Sequence, residues 1–261
     1  MRIALGLEYC GTAFTGWQSQ PDGRGVQDAL ERALAVIAAA DVGTIAAGRT
    51  DAGVHATMQV VHFDAGAIRP ETAWVRGVNS NLPPDVAVVW ARPVADEFHA
   101  RYAAVLRHYT YLLSSRAVRP ALLAGRVGWY HRTLDVAAMR EAAGALVGTH
   151  DFSAYRAAEC QANSPTRTLS TVSIATIGEH IRFDFCANAF LYHMIRNVVG
   201  ALVYVGAGRE PTAWIGELLA GRDRTRAAPT FAPDGLYFTG ADYDPAWGLP
   251  PTRRPVVLPG A

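Results

Sequence analysis

Hydrophobic and polar residues alternate at the start of the chain and then recur at helical spacing. Ile3, Leu5 and Leu7 alternate with small or polar residues, which predicts a half-buried β-strand. From Val26 onwards, apolar residues three and four positions apart predict an amphipathic α-helix. The same patterns predict further strands at 43–47, 57–64, 86–91, 98–114 (one strand turning into another), 167–175, 181–187 and 235–243, and further helices from Asp135, from Phe190 and at 211–220.

These elements fall into two comparable halves, in which neighbouring strands come in pairs. Paired strands predict mainly antiparallel sheets, so we expect an α+β fold made of two similar α/β halves. The predicted boundaries are residues 1–100 for the N-terminal half and 101–246 for the C-terminal half. Residues 247–261 contain four prolines and are predicted to form a tail.

Composition narrows the class of protein. Half of the chain is hydrophobic and 18% is charged, which is typical of a globular protein. All 24 basic side chains are arginine, so a lysine Schiff base or lysine general base is excluded. The net charge of +1 excludes a strongly basic, histone-like protein. A polyanion would have to be bound by arginines gathered on one face, where guanidinium groups pair with phosphates and stack on bases.

Cysteine usage and hydropathy indicate the environment of the protein. Cys10, Cys160 and Cys186 are widely spaced, which argues against both a disulfide framework and a zinc ribbon. The chain shows neither a secretory leader nor an apolar run long enough to span a membrane. We therefore expect a cytoplasmic protein with no metal site and no membrane attachment.

The clearest chemical signal is the segment AGRTDAGVHA at residues 47–56. One interpretation is an ordinary hairpin turn, since Asp and Gly are favoured there. The other interpretation is catalytic, because an aspartate near an arginine stays ionised and can act as a nucleophile. No second carboxylate lies close to Asp51 in the sequence, so the segment gives no direct sign of a glycosidase pair.

The segment GRTDAGVHA resembles the signature loop of the tRNA pseudouridine synthase A (TruA) family. Further segments resemble the family in the same order and spacing: YCGTAFTGWQSQP at 9–21, GVNSNLPPDVAV at 77–88, FHARYAAVLRHYTYLL at 98–113, FLYHMIRNVVG at 190–200 and DGLYFTGADY at 234–243. Cys10 departs from the pattern, because the family usually has Asp there. This departure places one loop contact in question, and it does not touch the chemistry.

The resemblance implies an isomerase that breaks the N-glycosidic bond of uridine, rotates the uracil and rejoins it through C5. The single essential aspartate of the family corresponds to Asp51. Its carboxylate can attack either ribose C1′ or uracil C6, and the sequence leaves both open. The reaction involves no redox change and no added group, so the resemblance implies no cofactor.

Other site residues are also carried over from the resemblance. Tyr109 matches the active-site tyrosine, which can stack on the extruded uracil and assist deprotonation at C5. Tyr111 lies two residues away on the same strand face and is the alternative assignment. Arg196 matches the basic residue that pairs with the catalytic aspartate. An arginine that reaches solvent from an apolar helix is the alternative for this position.

Three further residues are expected to bind substrate. Arg49 matches a residue that helps to extrude the target nucleotide, and Leu236 matches an apolar residue that packs against the target base. His193 lies one turn before Arg196 and is a candidate RNA contact. For each of these residues, an ordinary turn, core or helix position is the alternative.

The family also implies partners and a shape for the site. We expect a homodimer bound to tRNA and acting at positions 38, 39 and 40 of the anticodon stem-loop, with Asp51 at the floor of a basic central cleft between the two halves. Residues 98–134 contain six arginines and no acid, and RDRTR at 222–226 is either a phosphate-facing patch or an exposed loop. The alternatives to this function are a non-catalytic RNA-binding protein on the same scaffold and a different aspartate-dependent enzyme such as a glycosidase.

Overall fold

The computed structural model describes residues 1–257, which contain both α-helices and β-strands. The strands are β1 Arg2–Tyr9, β2 Ile45–Ala46, β3 His55–Asp64, β4 Val86–Val94, β5 Leu106–Ser115, β6 Gly128–Tyr130, β7 Gly148–Asp151, β8 Thr166–Ile177, β9 His180–Ala187 and β10 Leu236–Asp242. The α-helices are α1 Val26–Ala38, α2 Val136–Ala143, α3 Met194–Gly206 and α4 Trp214–Gly221. The predicted mixed fold with mainly antiparallel strands is confirmed.

The chain forms two compact units whose limits differ from the predicted segments. The first unit comprises Met1–Arg107 together with Tyr237–Val256, and the second includes His108–Leu236. The C-terminal strand belongs largely to the first unit because β10 pairs with β3, placing Tyr237 opposite His55. A pairing between residues so far apart in the chain leaves no mark in local sequence patterns.

In the first unit, β1 lies between β3 and β4 and is antiparallel to both. Leu5 faces Val61 across the ladder, and α1 buries Leu30 and Leu34 on its apolar face. The predicted half-buried character of β1 is wrong, since Ala4 is as fully buried as Leu5. Small residues on the second face of β1 allow bulky neighbours to cover it, and Gly6 lies directly against the Trp90 ring.

In the second unit, β8 and β9 form the predicted antiparallel hairpin, and β7 adds to β8. The helix α3 is almost entirely buried, which agrees with its apolar sequence. It starts at Met194 rather than at the predicted Phe190, because His193 adopts left-handed backbone angles with φ of 59°. Residues 98–114 contain only one strand in the structure, β5, which follows a turn at 99–104.

Residues 247–256 of the predicted tail belong to the first unit. Gly240 and Arg253 form a β-bridge, and the Arg254 N–H donates to the Thr239 carbonyl at 2.9 Å. The indole N–H of Trp90 donates to the carbonyl of Pro251 at 3.2 Å. These contacts attach the segment to β4 and β10, which the prolines alone did not indicate.

Candidate active site

The segment that carries Asp51 is a tight loop between β2 and β3. The Ala47 N–H donates to Val60 O at 2.8 Å, and the Gln59 side-chain amide donates to Gly48 O at 2.7 Å. On the far side of the loop, the Val54 N–H donates to Asp51 O at 3.1 Å, and Gly53 has φ of +79°. The loop therefore follows a defined path on both sides of Asp51.

Buried residues from the N-terminal motif hold Thr50, the neighbour of Asp51. The Tyr9 and Thr50 hydroxyls share a buried hydrogen bond of 2.8 Å, and the Trp17 N–H donates to Thr50 O at 2.9 Å. Burial raises the pKa of Tyr9 to about 12, so its hydroxyl stays protonated at neutral pH. Neither Tyr9 nor Thr50 was predicted to support the site, although both lie in segments that carry the family resemblance.

Gly16 packs directly on this loop from the outside. Its φ is +107°, and a side chain at this position would place Cβ 2.8 Å from Thr50 O and 3.2 Å from Ala52 N. Only glycine accepts both this backbone conformation and this close approach. The Gly in FTGW is therefore explained by its contact with the Asp51 loop.

His55, for which the sequence predicted no role, fixes the end of the loop. His55 is buried, and its Nδ1 accepts the Gly11 N–H at 3.0 Å. Its ring stacks on Tyr237 with centroids 4.7 Å apart. The histidine of GVHA thus links the loop to the N-terminal motif and to β10. Cys10, which departs from the family pattern, precedes Gly11, and its Sγ lies 3.3 Å from the Thr12 hydroxyl.

The two charged residues of the loop differ in accessibility. Arg49 is exposed and Asp51 is half-buried. Asp51 is thus partly covered by the protein and partly accessible. The exposed arginine nearby suits contact with a phosphate or a base.

The tyrosine candidates lie in the second unit on β5. Tyr109 is buried and packs edge-to-face on Phe190 with centroids 5.0 Å apart. Tyr111 lies in the core, where its hydroxyl donates to Ala232 O at 2.9 Å and desolvation raises its pKa far above the usual range. That contact occupies the Tyr111 hydroxyl, which favours Tyr109 as the candidate.

Arg196 lies in the first turn of α3 and is half-buried among apolar neighbours. Its Nε donates to Phe231 O at 2.8 Å, and its own carbonyl accepts the Phe231 N–H at 3.2 Å. The guanidinium is thus held against the protein rather than extended into solvent. Its expected pairing with Asp51 stays a prediction.

The sequence predicted His193 on the helix, and this is wrong. In the structure His193 is the residue that immediately precedes α3. Its ring stacks on Tyr192 with centroids 3.9 Å apart, and its carbonyl accepts the Asn197 N–H at 2.9 Å. His193 has a positive φ, a conformation that is strained for a residue other than glycine, and such strain is common at functional sites. Leu236 is buried at the start of β10, where its N–H donates to Pro233 O at 2.8 Å.

The RDRTR segment is mostly engaged with the protein itself. Arg224 donates to Ala228 O at 2.8 Å and to the Asn197 side chain at 3.0 Å. Arg222 lies 3.5 Å from the Asp151 carboxylate. Two of the three arginines of the segment therefore contact the second unit itself, while Arg226 is exposed.

The structure thus brings Arg49 and Asp51 together in one loop of the first unit. In the second unit it places Tyr109 on a strand, Arg196 and His193 at the start of a helix, and Leu236 at the start of β10. Within residues 1–257, no three His, Cys, Asp or Glu side chains cluster closely enough to hold a metal ion.

Comparison with known proteins decides the family. The sequence profile described as tRNA pseudouridine synthase matches residues 7–103 and 142–244. The tRNA pseudouridine synthase A of Chromobacterium violaceum is 62% identical over 251 residues, which cover 96% of this chain and 96% of that protein. The chain belongs to the tRNA pseudouridine synthase A family. It is accordingly an isomerase, a tRNA pseudouridine synthase, as the sequence predicted.

Other members of the tRNA pseudouridine synthase A family are nearly as similar. The protein of that name from Dechloromonas aromatica is 60% identical over 250 residues and covers 96% of this chain and 95% of the relative. The one from Methylobacillus flagellatus is 57% identical over 258 residues and covers 99% of both. The similarity therefore extends over nearly the whole chain, including the segments of both units that carry candidate residues. None of the described helices has the length and hydropathy needed to cross a membrane.

Proposed function

We propose that this protein converts uridine to pseudouridine at positions 38, 39 and 40 of the tRNA anticodon stem-loop, with Asp51 as the nucleophile. The proposal is carried by the loop that holds Asp51 in this member of the tRNA pseudouridine synthase A family. The carboxylate is half-buried on a loop that buried hydrogen bonds hold on both sides. Such a fixed and partly open carboxylate suits nucleophilic attack on a bound nucleotide.

The reaction is an isomerisation, so atoms and electrons balance within the nucleotide. The N1–C1′ bond of uridine breaks and a C5–C1′ bond forms. The proton on C5 is lost, and N1 gains a proton. Asp51 attacks either C1′ or C6, and it is released again when the product forms. The protein therefore has to supply a carboxylate, a base for the C5 proton and a site that holds the detached uracil.

Tyr109 and Arg196 are proposed to serve these needs. Tyr109 provides an aromatic ring for the extruded uracil and a hydroxyl near C5. Arg196, fixed by its bond to Phe231 O, provides a positive charge that keeps the catalytic carboxylate ionised. An Arg196→Gln variant should lose most of its kcat, and an unchanged kcat would remove this role.

Arg49, His193 and Leu236 are proposed to bind the substrate. The exposed Arg49 guanidinium can fill the space left by the extruded nucleotide. His193 and Leu236 would contact the RNA and the target base. We further propose that the protein acts as a homodimer in the cytoplasm. Sedimentation velocity tests the dimer, and a monomer at micromolar concentration would contradict it.

Tritium release tests the proposed positions. A tRNA transcript labelled at uridine C5 loses tritium to water each time a uridine is isomerised. Transcripts with cytidine at 38, 39 and 40 should release none, and restoring uridine at any one position should restore release. Equal release from the all-cytidine transcript would show that the enzyme acts elsewhere on the tRNA.

A further inference from the structure

An exposed tyrosine stands on the turn that precedes β5. Tyr102 is 76% exposed and lies in the turn at 99–104 of the first unit. The exposure of one aromatic side chain does not by itself mark a binding site. The surroundings of this ring show which kind of partner it fits.

The Tyr102 ring is supported by one stacked histidine ring, which itself contacts a second, tilted one. It lies on the His99 ring with centroids 4.2 Å apart and planes 25° apart. The His99 ring in turn lies 4.9 Å from the buried His62 ring. A ring supported in this way keeps its orientation before any ligand arrives, which lowers the entropy cost of stacking.

Backbone N–H groups donate hydrogen bonds to the rings of both His99 and His62. His99 Nδ1 accepts the N–H groups of Arg101 and Tyr102 at 3.2 Å each. His62 Nδ1 accepts the N–H of Ala100 at 3.1 Å. A ring nitrogen that accepts a hydrogen bond carries no proton, so both rings are neutral. Burial lowers the pKa of both histidines, in agreement with this geometry.

One positively charged group lies beside the exposed ring. The Arg101 guanidinium is exposed and lies 5.7 Å from the Tyr102 ring centroid. Beyond Glu97, the sequence contains no acid until Asp135. A flat ring beside an arginine matches a nucleobase with its attached phosphate.

The turn is also tied to the catalytic loop within the same unit. Arg107 donates to Ala104 O at 2.9 Å and to Arg101 O, both in the turn. The same guanidinium donates to the carbonyl of Ala47 at 3.3 Å, where the Asp51 loop begins. One side chain therefore couples the turn that carries Tyr102 to the loop that carries Asp51.

We propose that Tyr102 is a stacking platform for an unpaired base of the RNA substrate, with Arg101 on the adjacent phosphate. This inference rests on the proposed function, since it takes tRNA as the substrate. A single ring on a polar turn buries too little area for a stable interface between proteins, which needs about 800 Å² from each partner.

Binding to an unreactive transcript tests the platform. With cytidine at positions 38–40, filter binding gives the dissociation constant without turnover. Tyr102→Ala should bind about 10-fold more weakly, while Tyr102→Phe should stay within about 2-fold because the ring is kept. Ile68→Ala, an equally exposed apolar residue of the same unit, is the matched control and should bind like the wild type.

Salt dependence separates stacking from phosphate contact. Tyr102→Ala should leave the slope of log Kd against log salt unchanged, whereas Arg101→Gln should reduce it by about one ion. With reactive tRNA, Tyr102→Ala should raise KM and leave kcat at saturation near that of the wild type. A thermal midpoint close to the wild type confirms that the variant is folded.

Three results would overturn the platform. These are unchanged binding by Tyr102→Ala, an equal loss in Tyr102→Phe, and a change of oligomeric state in Tyr102→Ala, which would indicate contact with a second copy. A failure of the platform differs from a failure of the proposed function. In the first case the wild type still releases tritium from tRNA, and in the second it does not.

Discussion

The hydrogen bond between Tyr9 and Thr50 offers a direct way to disturb the Asp51 loop without touching Asp51. Tyr9→Phe removes one hydroxyl from a fully buried pair whose oxygens lie 2.8 Å apart. The Thr50 hydroxyl then stays buried and loses the Tyr9 partner. Because Thr50 precedes Asp51 and its carbonyl is bound by Trp17, the position of the carboxylate should loosen.

The size of the effect follows from that geometry. A buried hydrogen bond contributes about 1 kcal/mol net, and leaving one partner unsatisfied costs about 1–3 kcal/mol. We expect Tyr9→Phe to lower the free energy of unfolding by about 2 kcal/mol. Thr50→Val removes the other hydroxyl and should cost a similar amount. The double variant leaves no orphaned hydroxyl, so its loss should be about 1 kcal/mol smaller than the sum of the two single losses.

Urea unfolding measures the four free energies of this cycle, and tritium release measures kcat and KM. We expect kcat of Tyr9→Phe to fall about 10-fold with little change in KM, since the carboxylate is displaced while the RNA surface is kept. Tyr155→Phe is the matched control, because it removes a buried hydroxyl that donates to Ile215 O at 3.1 Å in the second unit. It should lose stability and retain kcat.

Additive free energies, with a coupling below about 0.3 kcal/mol, would show that the two hydroxyls do not act as a pair. A fall in kcat for Tyr155→Phe equal to that of Tyr9→Phe would show that general destabilisation, rather than the position of the loop, lowers activity.

The remaining predictions concern the Asp51 loop, the buried His62 and the choice between Tyr109 and Tyr111. Gly16→Ala should lose about 2–3 kcal/mol in urea unfolding, because φ of +107° and contact with Thr50 O leave no place for Cβ, and full stability would contradict this. His62 has its pKa lowered to about 4, mainly by burial. As the pH falls, the His62 imidazole of the unfolded chain is protonated near pH 6.5, whereas that of the folded chain is protonated only near pH 4. The free energy of unfolding should therefore decrease by about 2 kcal/mol as the pH is lowered from 6.5 to 4, after allowance for solvent screening. His62→Asn, which keeps an acceptor for Ala100, should lack this part of the fall, and an identical pH profile would contradict the assignment. Tyr109→Phe should lower kcat in tritium release, while Tyr111→Phe should lose only stability, and the reverse result would exchange the two assignments.

Periodicity along the chain predicted the elements whose neighbours are close in sequence. The helix α1 and the β8–β9 hairpin occur where the pattern placed them, because burial of one face imposes a regular spacing. The pattern placed the start of α3 four residues too early. Residues 190–193 continue the apolar pattern of α3, and only the left-handed backbone at His193 separates them from that helix.

Contacts between distant segments were beyond sequence patterns. The pairing of β10 with β3 and the hydrogen bond from the Thr57 hydroxyl to Arg254 O both join parts of the chain about 200 residues apart. The same limit applied to the candidate site. The loop sequence pointed to Asp51, but the roles of Tyr9, Gly16 and His55 in holding that loop depend on contacts that only the folded chain shows.

The role of Asp51 as the nucleophile can be tested with the Asp51→Asn variant. The amide keeps the size of the side chain and removes its charge, so tRNA binding should stay within about 3-fold while tritium release falls by at least about 1000-fold. Asp41→Asn, an exposed aspartate just before β2, is the control and should release tritium at the wild-type rate. Release by Asp51→Asn at the wild-type rate, with no contaminating enzyme in the preparation, would contradict the account.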